Sequence, residues 1–305
     1  MDAAAAGQVA VLRHATERSR VRRLRGQAGR GLLHLVLVAA ALTFVAPLFW
    51  VVSTSLKPGS EVFTYPIHWV PIHPLWSNYA DIFGLIQIGG RSGLVVFAGN
   101  TAIITLVGTV GTVLSSTLVA FSLSRLRWPG RNFVFALVLG TMMLPGVVTL
   151  VPTFIIFRDL GWIDTFLPLV VPGWLGGGGF SIFLVRQFLL SLPTELDEAA
   201  RIDGASDFRI LWQILVPLCK PVIAAVAIFA FLRYYDDFMG PLIYLNSNEK
   251  YPLSLGVRFF AGRYGDRWQL VMAVSALMLA PVVALFFVAQ RQFIRGIQLT
   301  GLAGR

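Results

Sequence analysis

Between Thr194 and Pro217 the chain reads TELDEAARIDGASDFRILWQILVP, a charge-rich passage set between two apolar runs. Thr194 stands where a helix N-cap belongs, with Asp197 three residues on, close to a capping box, so a helix is predicted to begin there. Gly204 is expected to end it, because glycine accepts the backbone angles of a sharp turn. Ser206 can then cap a second helix, in which Phe208, Leu211, Trp212 and Leu215 recur at i, i+3, i+4 and i+7 and predict one apolar face. Asp197, Glu198, Arg201, Asp203, Asp207 and Arg209 take the remaining surfaces. A helix lying bare on a membrane favours Lys and Arg on its polar face, so this mixture of signs suits contact with another protein. The passage reads as two short amphipathic helices hinged at Gly204 and shaped to be gripped.

What flanks it is built for lipid. The chain has 305 residues, of which 56% are hydrophobic and only 13% charged, with mean hydropathy +0.73. One soluble core cannot hide that much apolar surface. Cutting the sequence at its charges leaves uncharged runs at 31–56, 92–124, 132–157, 165–185 and 268–290, each longer than the roughly 20 residues needed to span. A sixth span is expected at 210–232. It contains Lys220, but near its start, where a long stem reaches the interface. The expectation is an all-α membrane protein of six transmembrane helices.

Charge then sets the orientation. The net charge is +10, but its placement argues for a membrane rather than nucleic acid. Seven arginines (Arg13, Arg18, Arg20, Arg22, Arg23, Arg25 and Arg30) precede the first span, the mark of a cytoplasmic flank. With six spans, sixteen Lys or Arg fall on that side and eight on the other, Lys220 lying within a span. Both termini and the loop 186–217 are therefore expected in the cytoplasm. The expected organisation is a basic tail at 1–30, a six-helix span domain at 31–290 and a second cytoplasmic tail at 291–305. The first apolar run continues to Leu56, too long for a signal-peptide core, so no cleaved leader is expected.

Several spans carry interruptions. Gly108 and Gly111 sit among Thr105, Thr109, Thr112, Ser115 and Ser116, small residues that let helices approach closely. Pro145 and Pro152 break the third span. Pro168, Pro172 and the run Gly176-Gly177-Gly178-Gly179 break the fourth, which points to helices that line a packed interior or a pore. The segment 57–91 is irregular and rich in interfacial aromatics. The segment 233–267 combines Tyr234, Tyr235, Tyr244 and Tyr251 with Asp236, Asp237, Asn246 and Asn248, a mixture that suits sugars but also any interface.

Other chemistries are excluded. None of Lys57, Lys220 and Lys250 is preceded by glycine, so the chain has no Walker A loop. Cys219 is alone and the four histidines are scattered, so neither a disulfide nor a metal cluster is expected. The spans carry almost none of the deep ionisable residues that ion-coupled carriers use. Energy for transport must then arrive from outside the chain, through the hinged loop.

The spacing Glu198-Ala199-Ala200, three residues, Gly204, nine residues, Ile214-Leu215-Val216-Pro217 resembles the EAA motif of permease subunits in binding-protein-dependent ABC importers, with Val216 where leucine is usual. Further stretches are similar to carbohydrate-uptake permeases of the maltose and glycerol-phosphate type. They include Ser55-Leu56-Lys57-Pro58 through Glu61-Val62-Phe63, Asn78-Tyr79, Ser124-Arg125-Leu126 with Gly130-Arg131, and Asp237-Phe238 with Gly240 to Leu245. Together they cover most of residues 40–300 and look like the second, six-helix permease subunit. Tyr235-Asp236 departs from the usual Trp-Asn.

The resemblance implies a type I ABC importer permease fold with cytoplasmic coupling helices, in a bacterial or archaeal plasma membrane. It implies a homologous partner permease, two ATPase subunits and an extracytoplasmic sugar-binding protein. No cofactor is expected in this chain, since ATP and Mg belong to the ATPase subunits. Carried onto this sequence, the ATPase-coupling residues are Glu198, Ala199, Ala200, Asp203, Gly204, Phe208, Arg209, Leu211 and Pro217. Glu198 would face basic residues of the ATPase, and Gly204 would set the angle between the helices. The tail from Gln292 to Arg305 would reach the ATPase dimer interface. Asn100, Thr101, Asp236 and Asp237 are the candidates for the substrate path. The solute is expected to be a sugar or oligosaccharide. Alternatives are glycerol phosphate or another polar solute through the same machinery, and an ion-coupled carrier working alone.

Overall fold

The computed structural model describes the backbone of residues 31–302 and the side chains of residues 31–290. The basic tail at 1–30 and the side chains of the second tail lie outside the described residues. Among those described, four helices are long and apolar enough to cross a membrane, and two bent pairs bring the total to six.

Helix α1 (Gly31–Ser55) is exposed along nearly its whole length. An irregular segment and α2 (Ser77–Leu85) follow. A short antiparallel hairpin, β1 (Gln87–Ile88) and β2 (Arg91–Ser92), then turns on Gly89 and Gly90, both at positive φ. The Gly-Gly pair is the sequence signal for such a two-residue turn, and an all-α expectation passed over it. Helix α3 (Gly93–Ser124) is the longest helix without a proline, and α2 and the helices Arg131–Met143, Leu167–Trp174, Gly179–Ser191, Lys220–Tyr235 and Leu253–Tyr264 pack against it.

The expected third span divides. Helix α4 (Arg131–Met143) and α5 (Gly146–Asp159) meet at 104°. Leu144 is extended at ψ 120°, as a residue before proline is pushed to be. The fourth span is α6 (Leu167–Trp174) and α7 (Gly179–Ser191), joined through Gly176, Gly177 and Gly178 at φ 120°, 69° and 87°.

Next come α8 (Glu195–Ile202), α9 (Asp207–Arg209), a π-helical stretch Ile210–Leu215 and α10 (Val216–Leu218). Helix α11 (Lys220–Tyr235) leaves the unit Asp207–Leu218 at 82°. The span expected as one helix at 210–232 is instead a bent pair, broken at Cys219, where Pro221 sits in the first turn of the new helix. Helices α12 (Met239–Tyr244) and α13 (Leu253–Tyr264) follow, and α14 (Trp268–Leu302) continues unbroken past the expected boundary at 290 into the tail.

Small residues make the centre possible. A Cβ on Gly111 would stand 2.3 Å from the Trp174 ring, and one on Gly173 would stand 2.2 Å from Tyr234 Oη. The Ser115 hydroxyl donates across the gap to the Gly173 carbonyl at 2.7 Å, and Thr112 Oγ1 pairs with Tyr234 Oη at 3.1 Å. The glycine and hydroxyl positions of α3 are therefore packing positions against α6 and α11.

Candidate functional site

The hinged unit Thr194–Leu218 is held to the bundle by apolar packing of Ile210, Leu211 and Leu215 among residues of α3 and α7 and by one buried arginine. Arg125, just past the end of α3, is buried. Its Nη1 lies 3.1 Å from Asp197 Oδ2, and its Nη2 donates to the carbonyls of Leu189 and Leu192 at 2.5 and 2.9 Å. A charge removed from water requires such partners. Arg125 thus ties the end of α3, the last turn of α7 and the first turn of α8 into one piece. Beside it Arg186 donates from Nε to the Leu123 carbonyl at 3.2 Å and lies 3.8 Å above the Phe135 ring. Burial pushes the Asp197 carboxyl up, and the Arg125 guanidinium opposes that shift.

The first helix starts where expected, at Glu195, but without the expected side-chain cap. Thr194 occupies the cap position, but its side chain caps nothing, because its backbone is already helical at ψ −21°. Asp197 is turned inward to Arg125 rather than back along the helix. Arg125 follows 33 uncharged residues (92–124), and nothing near it in the chain names its partner; only the fold brings Arg125 and Asp197 together.

The hinge forms as expected. Gly204 lies at φ +75°. Its amide donates to the Arg201 carbonyl at 3.0 Å, and the Ala205 amide donates to Ala200 at 2.9 Å, a Schellman ending. Ser206 Oγ then accepts from the Arg209 amide at 3.4 Å. An exposed Arg201–Asp207 pair at 3.0 Å spans the hinge and contributes little.

The second helix differs from its expected face. The stretch Ile210–Leu215 is π-helical, so five-residue spacing replaces the 3–4 pattern. Ile210, Leu211 and Leu215 enter the core with Ala200 and Cys219, while Phe208 is 67% exposed. Of the residues carried over from the motif, Ala200 and Leu211 are buried. Glu198, Ala199, Asp203, Gly204, Phe208, Arg209 and Pro217 are exposed. Ile202, which the sequence reading did not single out, is 87% exposed beside Gly204. Ile202 and Phe208 thus flank the hinge as two apolar side chains on a charged surface.

The four path candidates lie at the opposite end of the bundle, and three of them hold local structure. Asn100 Nδ2 donates to the carbonyls of Glu249 and Tyr251 at 2.8 and 3.0 Å. Thr101 Oγ1 is buried and accepts from the Leu253 amide at 2.7 Å. Both clamp the segment before α13 onto α3. Asp237 Oδ1 accepts from the Gly240 amide at 3.1 Å, at the start of α12. Asp236 is exposed.

At the same end Asp164, itself at φ +59°, accepts from the amides of Asn246 and Ser247 at 2.9 Å each, from the Ser247 hydroxyl at 2.6 Å and from Lys250 at 2.9 Å. The Ser247 hydroxyl first, and then Lys250, hold its carboxyl well below the usual carboxylate range. Among the described residues no three His, Cys, Asp or Glu converge as metal ligands.

Comparison with known proteins gives this geometry a lineage. The chain is 32% identical over 270 residues to the arabinooligosaccharides transport system permease AraQ of Halalkalibacterium halodurans, covering 87% of this chain and 94% of the relative. It is 32% identical over 268 residues to the sn-glycerol-3-phosphate transport system permease UgpE of Yersinia enterocolitica, with the same coverage. A chain from the crystal structure of a bacterial ABC transporter that imports the acidic polysaccharide alginate superposes with TM-score 0.75 at 25% identity, over 86% of this chain and 95% of that one. Residues 111–299 match the family of binding-protein-dependent transport system inner membrane components, and the chain belongs to it.

Proposed function

We propose that the chain is the translocation subunit of an ATP-driven importer that takes up a sugar or oligosaccharide handed over by an extracytoplasmic binding protein. The observation that carries this reading is the hinged unit around Gly204, exposed on its outer side and pinned through Arg125 to two membrane helices. Such a unit can deliver force to the bundle but has no P-loop to generate it. The relatives named for arabinooligosaccharide transport support the solute class.

In this reading the loop and both termini face the cytoplasm. Two ATPase subunits use ATP and Mg, and one of them seats Glu198, Ile202 and Phe208. A homologous permease completes the pathway across a bacterial or archaeal plasma membrane. Vesicles holding the full assembly and its binding protein should import oligosaccharide only with ATP. Gly204→Val or Glu198→Lys should abolish import while leaving the subunits associated. Normal import by those variants would end the coupling role, and import by the purified chain alone would point to an ion-coupled carrier. A second reading, import of glycerol phosphate, is favoured by the UgpE relatives and is separated by the solute that the binding protein retains.

A further inference from the structure

Where α6 gives way to α7, a cavity of about 230 Å³ opens, lined by Thr112, Gly178, Ser181, Phe229, Arg233 and Tyr234 among others. Its depth follows from helix lengths. Helix α7 has 13 residues between this point and its far end, and α6 has 8 on the other side, about 20 Å and about 12 Å at 1.5 Å per residue. The cavity therefore sits inside the roughly 30 Å hydrocarbon layer.

Arg233 brings a full charge to that depth. It is exposed, makes no ion pair among the described residues, Asp236 and Asp237 included, and lies 5.9 Å from the centre of the Tyr234 ring. Arginine in the last turn of a spanning helix commonly snorkels outward along the helix. This one turns sideways instead. Its Nη1 lies 3.6 Å from the point where a Cβ on Gly178 would stand, over a backbone held at φ +87°. Irregular backbone and an unpaired charge at membrane depth are both tolerated where they line a polar cavity. Ser181 and the Thr112–Tyr234 hydroxyl pair supply that polarity, and Phe180 and Phe229, 5.6 Å apart edge to face, close an apolar side. The volume admits one anionic group with part of a ring, not a whole oligosaccharide.

We infer that Arg233 and this cavity form a recognition site for an anionic group on the transported solute, so that the importer takes a sugar derivative bearing a carboxylate or a phosphate. The inference rests on the importer reading above and names its solute class. A guanidinium binds either anion through paired N–H donors, and a lysine keeps the charge without that fork.

The test uses vesicles holding the complete transporter with its own binding protein, and three probes: trigalacturonate, glycerol 3-phosphate and neutral maltotriose. The wild type should import one of the two anions, and which one identifies the group. Arg233→Gln should cut that import by about tenfold or more, as loss of a charged hydrogen bond predicts. Arg233→Lys should retain part of it with a raised KM, and co-purification of the partner subunits checks assembly of both variants. Import of maltotriose alone, or anion import unchanged in both variants, overturns the site and leaves the importer standing. Import of none of the three overturns the anion site, and ATP-dependent import of an arabinooligosaccharide by the same vesicles then leaves the importer reading standing, whereas its absence overturns both.

Discussion

The Arg125 guanidinium and the Asp197 carboxylate meet at 3.1 Å with 3% and 6% of their side chains exposed. Two charges at that depth offset each other's desolvation, whereas either alone is left unpaired in the core. Arg125→Ala should therefore destabilise the chain by about 3–5 kcal/mol. The double change Arg125→Met with Asp197→Leu should cost less than the single one. Thermal denaturation of the detergent-purified chain ranks the variants, and an Arg125→Ala protein as stable as wild type would remove the staple.

Gly204 faces open space, with nothing within 4 Å of the position of an added Cβ. Any substitution effect is thus conformational. At φ +75° a β-branched residue is strained by about 1–2 kcal/mol, while asparagine tolerates the region. Gly204→Asn should keep coupled ATP hydrolysis and Gly204→Val should lose it, measured in the assembled transporter.

Close packing at the centre predicts steep sensitivity to one methyl group. Gly111→Ala would press on Trp174 and Gly173→Ala on Tyr234, each costing about 1–3 kcal/mol as overpacking. Gly99→Ala, inside α3 with open space around it, is the control and should hold or raise the melting temperature, since alanine is the better helix former.

Ile202 and Phe208 are exposed at 87% and 67%, so their replacement should not disturb the chain's own core. Ile202→Asp and Phe208→Asp should melt like wild type yet weaken capture of the ATPase subunit by about tenfold or more, as loss of a buried apolar anchor predicts. Equal capture in a pull-down titration would move the docking surface elsewhere.

The Asp164 carboxyl binds its proton less readily in the folded chain than in the unfolded one. Its stabilisation is therefore fully present above about pH 4 and lost as pH falls below it. Melts at about pH 6 and about pH 3 should show a smaller acid-induced loss for Asp164→Asn than for wild type.

The sequence announced what depends on local chemistry. Uncharged runs placed the spans, Gly204 and Ser206 placed the hinge, and Pro145 marked the break between α4 and α5. It was silent where distant segments meet. Asp197 read as part of a cap because nothing near it in the chain reveals Arg125, and Phe208 read as sharing one face with Leu211, Trp212 and Leu215 because a helical period cannot foresee a π-helical stretch. Lys220 read as a charge near the start of a longer span because the 82° turn before α11 depends on how the hinged unit packs. Asn100 and Thr101 read as candidates for the substrate path because their partners lie about 150 residues away.

Helix α3 joins the two ends of the molecule. Its 32 residues, unbroken by proline, make a strut about 48 Å long, which carries the Arg125 staple at one end and the Asn100 and Thr101 clamps at the other. A helix of that length tilts far more readily than it stretches. Movement imposed at Asp197 therefore reaches the segment before α13 as rotation about a fulcrum. The sideways sweep at each end scales with its distance from that fulcrum, and the close-packed Gly111 contact with Trp174 is where the bearing would lie.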